Sequence, residues 1–144
     1  MPVSFADVEV GTQIPARSFP ITRAQLIQYA GASGDFNTIH WNERFAKAVG
    51  LPDVIAHGMF TMATAGRLLT DWAGDPAAVV EYGVRFSSMV PVPDDETGAS
   101  ISVSGVIEST SDDDRRVTVV LTARGGGEDG IKVLTQARAV VQLS

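Results

Sequence analysis

The chain has only two histidines, and each stands in a short glycine-containing stretch. The first stretch, Tyr29-Ala-Gly-Ala-Ser-Gly-Asp-Phe-Asn-Thr-Ile-His40, places the carboxylate of Asp35 five residues before the imidazole of His40. An imidazole with an ordinary pKa of about 6.5 gives and takes protons near neutral pH, and a carboxylate beside it serves as a second proton carrier or orients a water. The spacing keeps both groups on one short segment and leaves their geometry open. A structural role fits the same residues, with Asp35 capping a turn and His40 hydrogen-bonded within the packing.

The second stretch is Ile55-Ala-His-Gly-Met59. Gly58 stands where a helix begins, so its N–H belongs to the unpaired, electropositive end. A glycine there lets a ligand oxygen approach the backbone, as an oxyanion hole requires. The alternative is a tight helix start at Gly58 with His57 as a satisfied polar residue.

Other chemistries have weaker support. Asp35, His40 and His57 could ligate zinc as two histidines and a carboxylate, but no H-E-x-x-H spacing is present. Ser33 with His40 lacks the Gly-x-Ser-x-Gly setting of a nucleophile. Arg44 and Lys47, three apart after His40, could meet a phosphate at a pocket mouth or form an ordinary solvated face.

The elements around these stretches can be read in order. Residues 1–22 form an irregular lead-in and a short strand. Thr22 is a helix N-cap with Gln25 placed for a capping box, and Leu26, Tyr29 and Ala30 share one face up to a stop at Gly31. Asn42 caps a short helix closed by Gly50. Residues 58–72 read as the strongest helix, with a polar stripe at Thr61, Thr64, Arg67 and Asp71 and apolar residues nearly everywhere else. A helix of that kind is buried on most sides.

Beyond Gly74-Asp-Pro76 the period changes to two. Strands are expected around Val80–Phe86, Ile101–Ile107, Val117–Ala123 and Ile131–Leu143, joined as a four-strand antiparallel meander. The fold class is α+β, a twisted sheet wrapped around one buried helix, and residues 1–144 read as a single domain.

Composition narrows the class. The net charge of −6, with no basic run, argues against nucleic acid as a partner. Asp94-Asp-Glu96 and Asp112-Asp-Asp114 read as solvated loops. With no cysteine, neither disulfides nor thiolate metal sites are available. There is no run of about 18 apolar residues to cross a membrane. No signal-peptide pattern opens the chain, so the expected location is cytoplasmic. Phe36, Ile39, Trp41, Leu51, Val54 and Ile55 concentrate apolar surface in the loops of 31–58, which marks an interface or a ligand channel.

The stretch from Tyr29 to His40, followed by Ala46, resembles the hydratase 2 motif of the MaoC-like dehydratases. These are (R)-specific enoyl-thioester hydratases with the hot-dog fold. Ala56-His-Gly-Met59 resembles the family's second block, at the start of its central helix. Arg85-Phe86 with Pro91 and Pro93 resembles its later strand block. Ile39-His-Trp41, Ala48-Val-Gly-Leu51 and Trp72-Ala-Gly-Asp-Pro76 are similar to the catalytic B-type subunits of mycobacterial-type (3R)-hydroxyacyl-carrier-protein dehydratases.

The resemblance implies Asp35 and His40 as the acid–base pair, the Gly58 N–H as the oxyanion donor and Asn37 as a brace for the loop. It implies no cofactor and no metal. The substrate would be an acyl-CoA or acyl-carrier-protein thioester. The partner would be a second copy or a related hot-dog subunit. Where the family has proline after the motif asparagine, this chain has Thr38, so the loop lacks that stiffening.

Overall fold

The computed structural model describes residues 2–144. Alternation of apolar and polar residues produces five strands: β1 (Gln13–Ile21), β2 (Val79–Phe86), β3 (Ala99–Ser111), β4 (Arg116–Gly125) and β5 (Ile131–Gln142). They form one antiparallel sheet in the order β1-β3-β4-β5-β2. Three helices precede β2: α1 (Arg23–Ser33), α2 (Glu43–Ala48) and α3 (Gly58–Ala73).

The expected meander holds for β3, β4 and β5 only. β2 pairs with β5 at the far edge, so the segment from Ser87 to Gly98 crosses over to β3. A crossover and a wide hairpin look alike in composition, because Pro91, Pro93 and Gly98 punctuate either. β5 also departs from strict alternation. Gln136 adopts a left-handed backbone (φ 47°), and Val133 and Leu134 are both buried. The irregular register opposite β2 and β4 accommodates that residue.

The helix starts follow local chemistry. Thr22 and Gln25 form the reciprocal capping box. Asn42 accepts from the Phe45 N–H. The end of α1 differs from the expectation: the helix runs through Gly31 to Ser33, and Gly34 closes it in the left-handed conformation (φ 76°).

α3 lies on one face of the sheet, with Ala65, Leu68, Leu69 and Ala73 facing Phe19, Ile101, Val103, Val119 and Leu134 in one core. Its exposed line is Met59, Ala63, Arg67 and Asp71. Thr61 and Thr64, read as part of a polar stripe, are buried. Thr64 tolerates burial because its hydroxyl donates to the Phe60 carbonyl at 2.8 Å.

Candidate active site

The segment from Ser33 to His40 holds itself in a chain of short turns. The Asp35 N–H donates to Ser33 Oγ, the Asn37 N–H to Asp35 Oδ1 at 3.1 Å, and the Ile39 N–H to Asn37 Oδ1 at 3.3 Å. Asn37 thereby caps the 3-10 turn Thr38–His40. These side-chain bonds order the stretch that a proline at position 38 would otherwise stiffen. One oxygen of Asp35 serves the turn and the other stays available at an exposed position.

His40 is 7% exposed and sits against the strand-like segment Val54–Ala56. That segment is clamped on both sides. The Ile55 N–H donates to the Ile39 carbonyl, the Ala56 N–H to Val90 O, and the Val92 N–H to Val54 O. His40 Nδ1 lies 2.7 Å from the Ile55 carbonyl oxygen. A carbonyl only accepts, so Nδ1 carries the hydrogen and Nε2 presents a lone pair. Such an imidazole is poised to accept a proton.

Arg23 ties the frame behind the loop. Its Nε–H donates to Val92 O at 3.0 Å, and its other nitrogens reach Glu43 and Asp53. One guanidinium thus joins the start of α1, the start of α2 and the clamped segment.

His57 precedes Gly58 and is 1% exposed. Its Nε2 lies 3.0 Å from the main-chain oxygen of Asp35, which makes Nε2–H the donor. Its ring stacks on that of His40, with centroids 3.8 Å apart and planes 22° apart, and Tyr29 meets it edge-on at 4.7 Å. Burial pushes the His57 pKa down, and the neighbouring His40 adds to that shift.

Asp35, His40 and His57 each bring one polar atom within 4.8 Å of the others. As a zinc set they fit poorly. Stacked rings keep their in-plane lone pairs in two nearly parallel planes, with centroids 3.8 Å apart, whereas zinc needs donors converging on one point at about 2.0–2.1 Å. The His57 Nε2–H is also already committed to Asp35. The cluster suits proton transfer and its support.

His40 and Gly58 both line a cavity of about 360 Å³, together with Ile55, Thr61, Phe86 and Met89. Gly58 is the first residue of α3, and its N–H has no acceptor among the described residues. A Cβ at Gly58 would lie 3.2 Å from the Phe86 ring, so glycine is what lets the ring and the helix end meet. Asp35 is exposed and is not in the cavity wall, and its carboxylate lies within 4.8 Å of a ring nitrogen of His40. Arg44 and Lys47 lie outside the wall on exposed turns of α2, and Lys47 pairs with Glu43 at 2.7 Å.

Phe86, Thr61 and the carbonyl of Ile55 are site components to which the sequence assigned no role in the site. Ile55 and Phe86 come from segments far from His40 in the chain, and only tertiary packing joins them. For His57 the available signal was its place beside Gly58.

The MaoC like domain family matches residues 6–124. The 3-hydroxyacyl-thioester dehydratase X of Mycobacterium tuberculosis is 47% identical over 79 residues, which are 55% of this chain and 27% of that protein. The (R)-specific enoyl-CoA hydratase of Rhodospirillum rubrum is 27% identical over 135 residues, 93% of this chain and 92% of that one. A solved MaoC-like dehydratase superimposes with a TM-score of 0.92 at 42% identity, covering 99% of this chain and 43% of that chain. The chain thus spans about a quarter of the mycobacterial relative and under half of the solved one, and its architecture is their hot-dog fold. With the family match extending from the first turn to the end of β4, the chain belongs to the MaoC-like domain family.

Proposed function

We propose that this protein catalyses reversible syn dehydration of (3R)-hydroxyacyl thioesters, and hydration of trans-2-enoyl thioesters, on CoA or an acyl carrier protein. The observation that carries this reading is one cavity lined both by His40, whose Nδ1 is held by the Ile55 carbonyl, and by Gly58, the first residue of α3. The similarity to a hydroxyacyl-thioester dehydratase and to an enoyl-CoA hydratase supports the same chemistry.

In the dehydration direction, His40 Nε2 takes the C2 proton. The electron pair moves onto the thioester oxygen, where the Gly58 N–H and the positive end of α3 hold it as an enolate. The enolate then collapses: the C2–C3 double bond forms and the C3–O bond breaks. Asp35 holds the departing hydroxyl, which leaves as water with a proton supplied from the Asp35–His40 pair. Both groups act on one face of the substrate, so the elimination is syn. Asn37 supports the loop through its bond from Ile39. Arg44 is the cation we assign to carrier phosphate, since Lys47 is already paired with Glu43.

We further place the enzyme as a dimer, with a second copy or a related hot-dog subunit. β2 pairs with β5 alone, its outer edge has no partner among the described residues, and none of its residues is fully buried. Phe86 and Met89 expose apolar surface at the cavity wall, and Met59 does so one residue beyond Gly58.

The deciding assay follows crotonyl-CoA by enoyl absorbance and by free thiol. Loss of absorbance without thiol release is the expected result. Thiol release would make the protein a thioesterase, and no change in either would make it an acyl-binding subunit.

A further inference from the structure

His57 has the least ordinary surroundings of any group at the site. It is buried to 1% exposure, and its Nδ1 has no hydrogen-bond partner among the described residues. It occupies the N-cap position of α3 yet makes no capping bond with its side chain. The ring turns instead toward the loop that carries Asp35 and His40.

We propose that His57 is a positioning residue for the Asp35–His40 pair, holding both members without exchanging a proton with substrate. The inference rests on the reading of that pair as the acid–base groups. Two contacts carry it. The Nε2–H of His57 donates to the main-chain oxygen of Asp35 at 3.0 Å, which fixes that residue's backbone and leaves its second carboxylate oxygen available. The His57 ring backs the His40 ring at 3.8 Å. His40 is then restrained in two independent ways: the Ile55 carbonyl sets its in-plane orientation, and the His57 face sets its plane.

The orphaned nitrogen explains why an imidazole is needed there. An all-carbon ring of the same size would fill the space without stranding an acceptor in the interior. What imidazole adds over such a ring is the Nε2–H donor to Asp35. The same surroundings keep His57 out of proton traffic. Nε2 is committed to a carbonyl, Nδ1 has no outlet, and a charge on His57 would face burial and the adjoining His40.

The test uses full-length wild type, His57→Phe and His57→Gln with crotonyl-CoA as probe. Amide hydrogen exchange at Asn37, Ile39 and His40 is measured on the same samples. Phenylalanine keeps a stacking ring and loses the donor. Glutamine places an amide donor near the Nε2 position and loses the ring. The expected result for His57→Phe is a kcat lowered about 10- to 100-fold, the scale of a misaligned catalytic group. KM should change by less than about threefold, because uniform substrate binding is untouched.

The pH profile of His57→Phe should keep both limbs, since no proton carrier has been removed. His57→Gln, which keeps the donor and loses the ring, should recover part of kcat and fall between wild type and His57→Phe, and the three amides should exchange faster in His57→Phe than in wild type or His57→Gln. If His57→Phe does not fold, His57→Asn replaces it, because an asparagine amide is too short to reach the Asp35 carbonyl.

Wild-type kcat and wild-type amide protection in the donor-less variant would overturn the proposal. So would loss of one limb of the pH profile, which would make His57 a proton carrier. Failure of the underlying reading looks different. Wild type would then be inert on enoyl thioesters, or Asp35→Asn and His40→Ala would stay active, and amide protection alone would decide whether His57 positions the loop.

Discussion

At the scale of single residues, the proposed mechanism separates groups that move protons from groups that hold them. Asp35→Asn and His40→Ala should each lower turnover by about 10² or more, the usual scale for a lost proton-transfer group. Steady-state rates beside thermal melts check this: Asp35→Asn should melt near wild type because Asp35 is exposed, whereas His40→Ala vacates a buried, hydrogen-bonded position and should melt lower while still folding.

Gly58→Val tests the oxyanion assignment differently. The new side chain meets Phe86, which is 51% exposed and free to turn aside, so the fold should survive. The main-chain N–H remains, but the side chain blocks thioester approach to it, so kcat/KM should drop on the order of the 10²–10³ seen when an oxyanion donor is lost.

His57 adds a pH dependence to stability. Its folded-state pKa is lowered by burial, so at falling pH the unfolded chain takes up a proton that the folded chain resists. The stabilisation is complete above the ordinary histidine value of about 6.5 and is lost as pH falls through the lowered folded value. Melting temperature should therefore fall more steeply below neutral pH in wild type than in His57→Gln, which has no proton to gain.

At the scale of elements, α3 and β2 meet closely. The Tyr82 hydroxyl donates to the Met62 carbonyl at 2.8 Å, and burial pushes its pKa up to about 12. Its ring passes over Gly66, where a Cβ would lie 3.0 Å from Cε1. Glycine inside a helix costs about 1 kcal/mol relative to alanine. Here that rule reverses. Gly66→Ala should destabilise the protein by about 1–3 kcal/mol, the range for overpacking a filled interface. Urea denaturation checks the sign, and Tyr82→Leu combined with Gly66→Ala should relieve the strain.

At the scale of the whole molecule, the loops of 31–58 are less exposed than their composition suggested. Val54 is fully buried, and Ile39, Leu51 and Ile55 are partly buried by the chain itself. Phe36 at 63%, Trp41 at 47% and Met59 at 57% exposure remain uncovered near the site. Together with the unpaired edge of β2, this surface calls for a partner subunit. Light scattering should give at least a dimer at assay concentration, and titration with a tight substrate analogue should count two sites in a homodimer and one in a heterodimer. A fully active monomer would remove the assembly from the account.

The sequence by itself determined what short-range chemistry controls. Caps at Thr22 and Asn42, the span of α3 and the change from helical to strand period all follow from neighbours a few residues apart. It also placed Asp35, His40 and Gly58 in two glycine-containing stretches. Tertiary structure decided what depends on distant partners. β2 joined β5, the bulge at Gln136 shifted the inward face, and Thr61 and Thr64 went inside. The stacking of His57 on His40, and the Ile55 carbonyl that sets the His40 tautomer, arise because Arg23 and the segment from Val90 to Val92 press two separate loops together. A proton acceptor is named by residue type, but which of its nitrogens is free depends on contacts that no local spacing encodes.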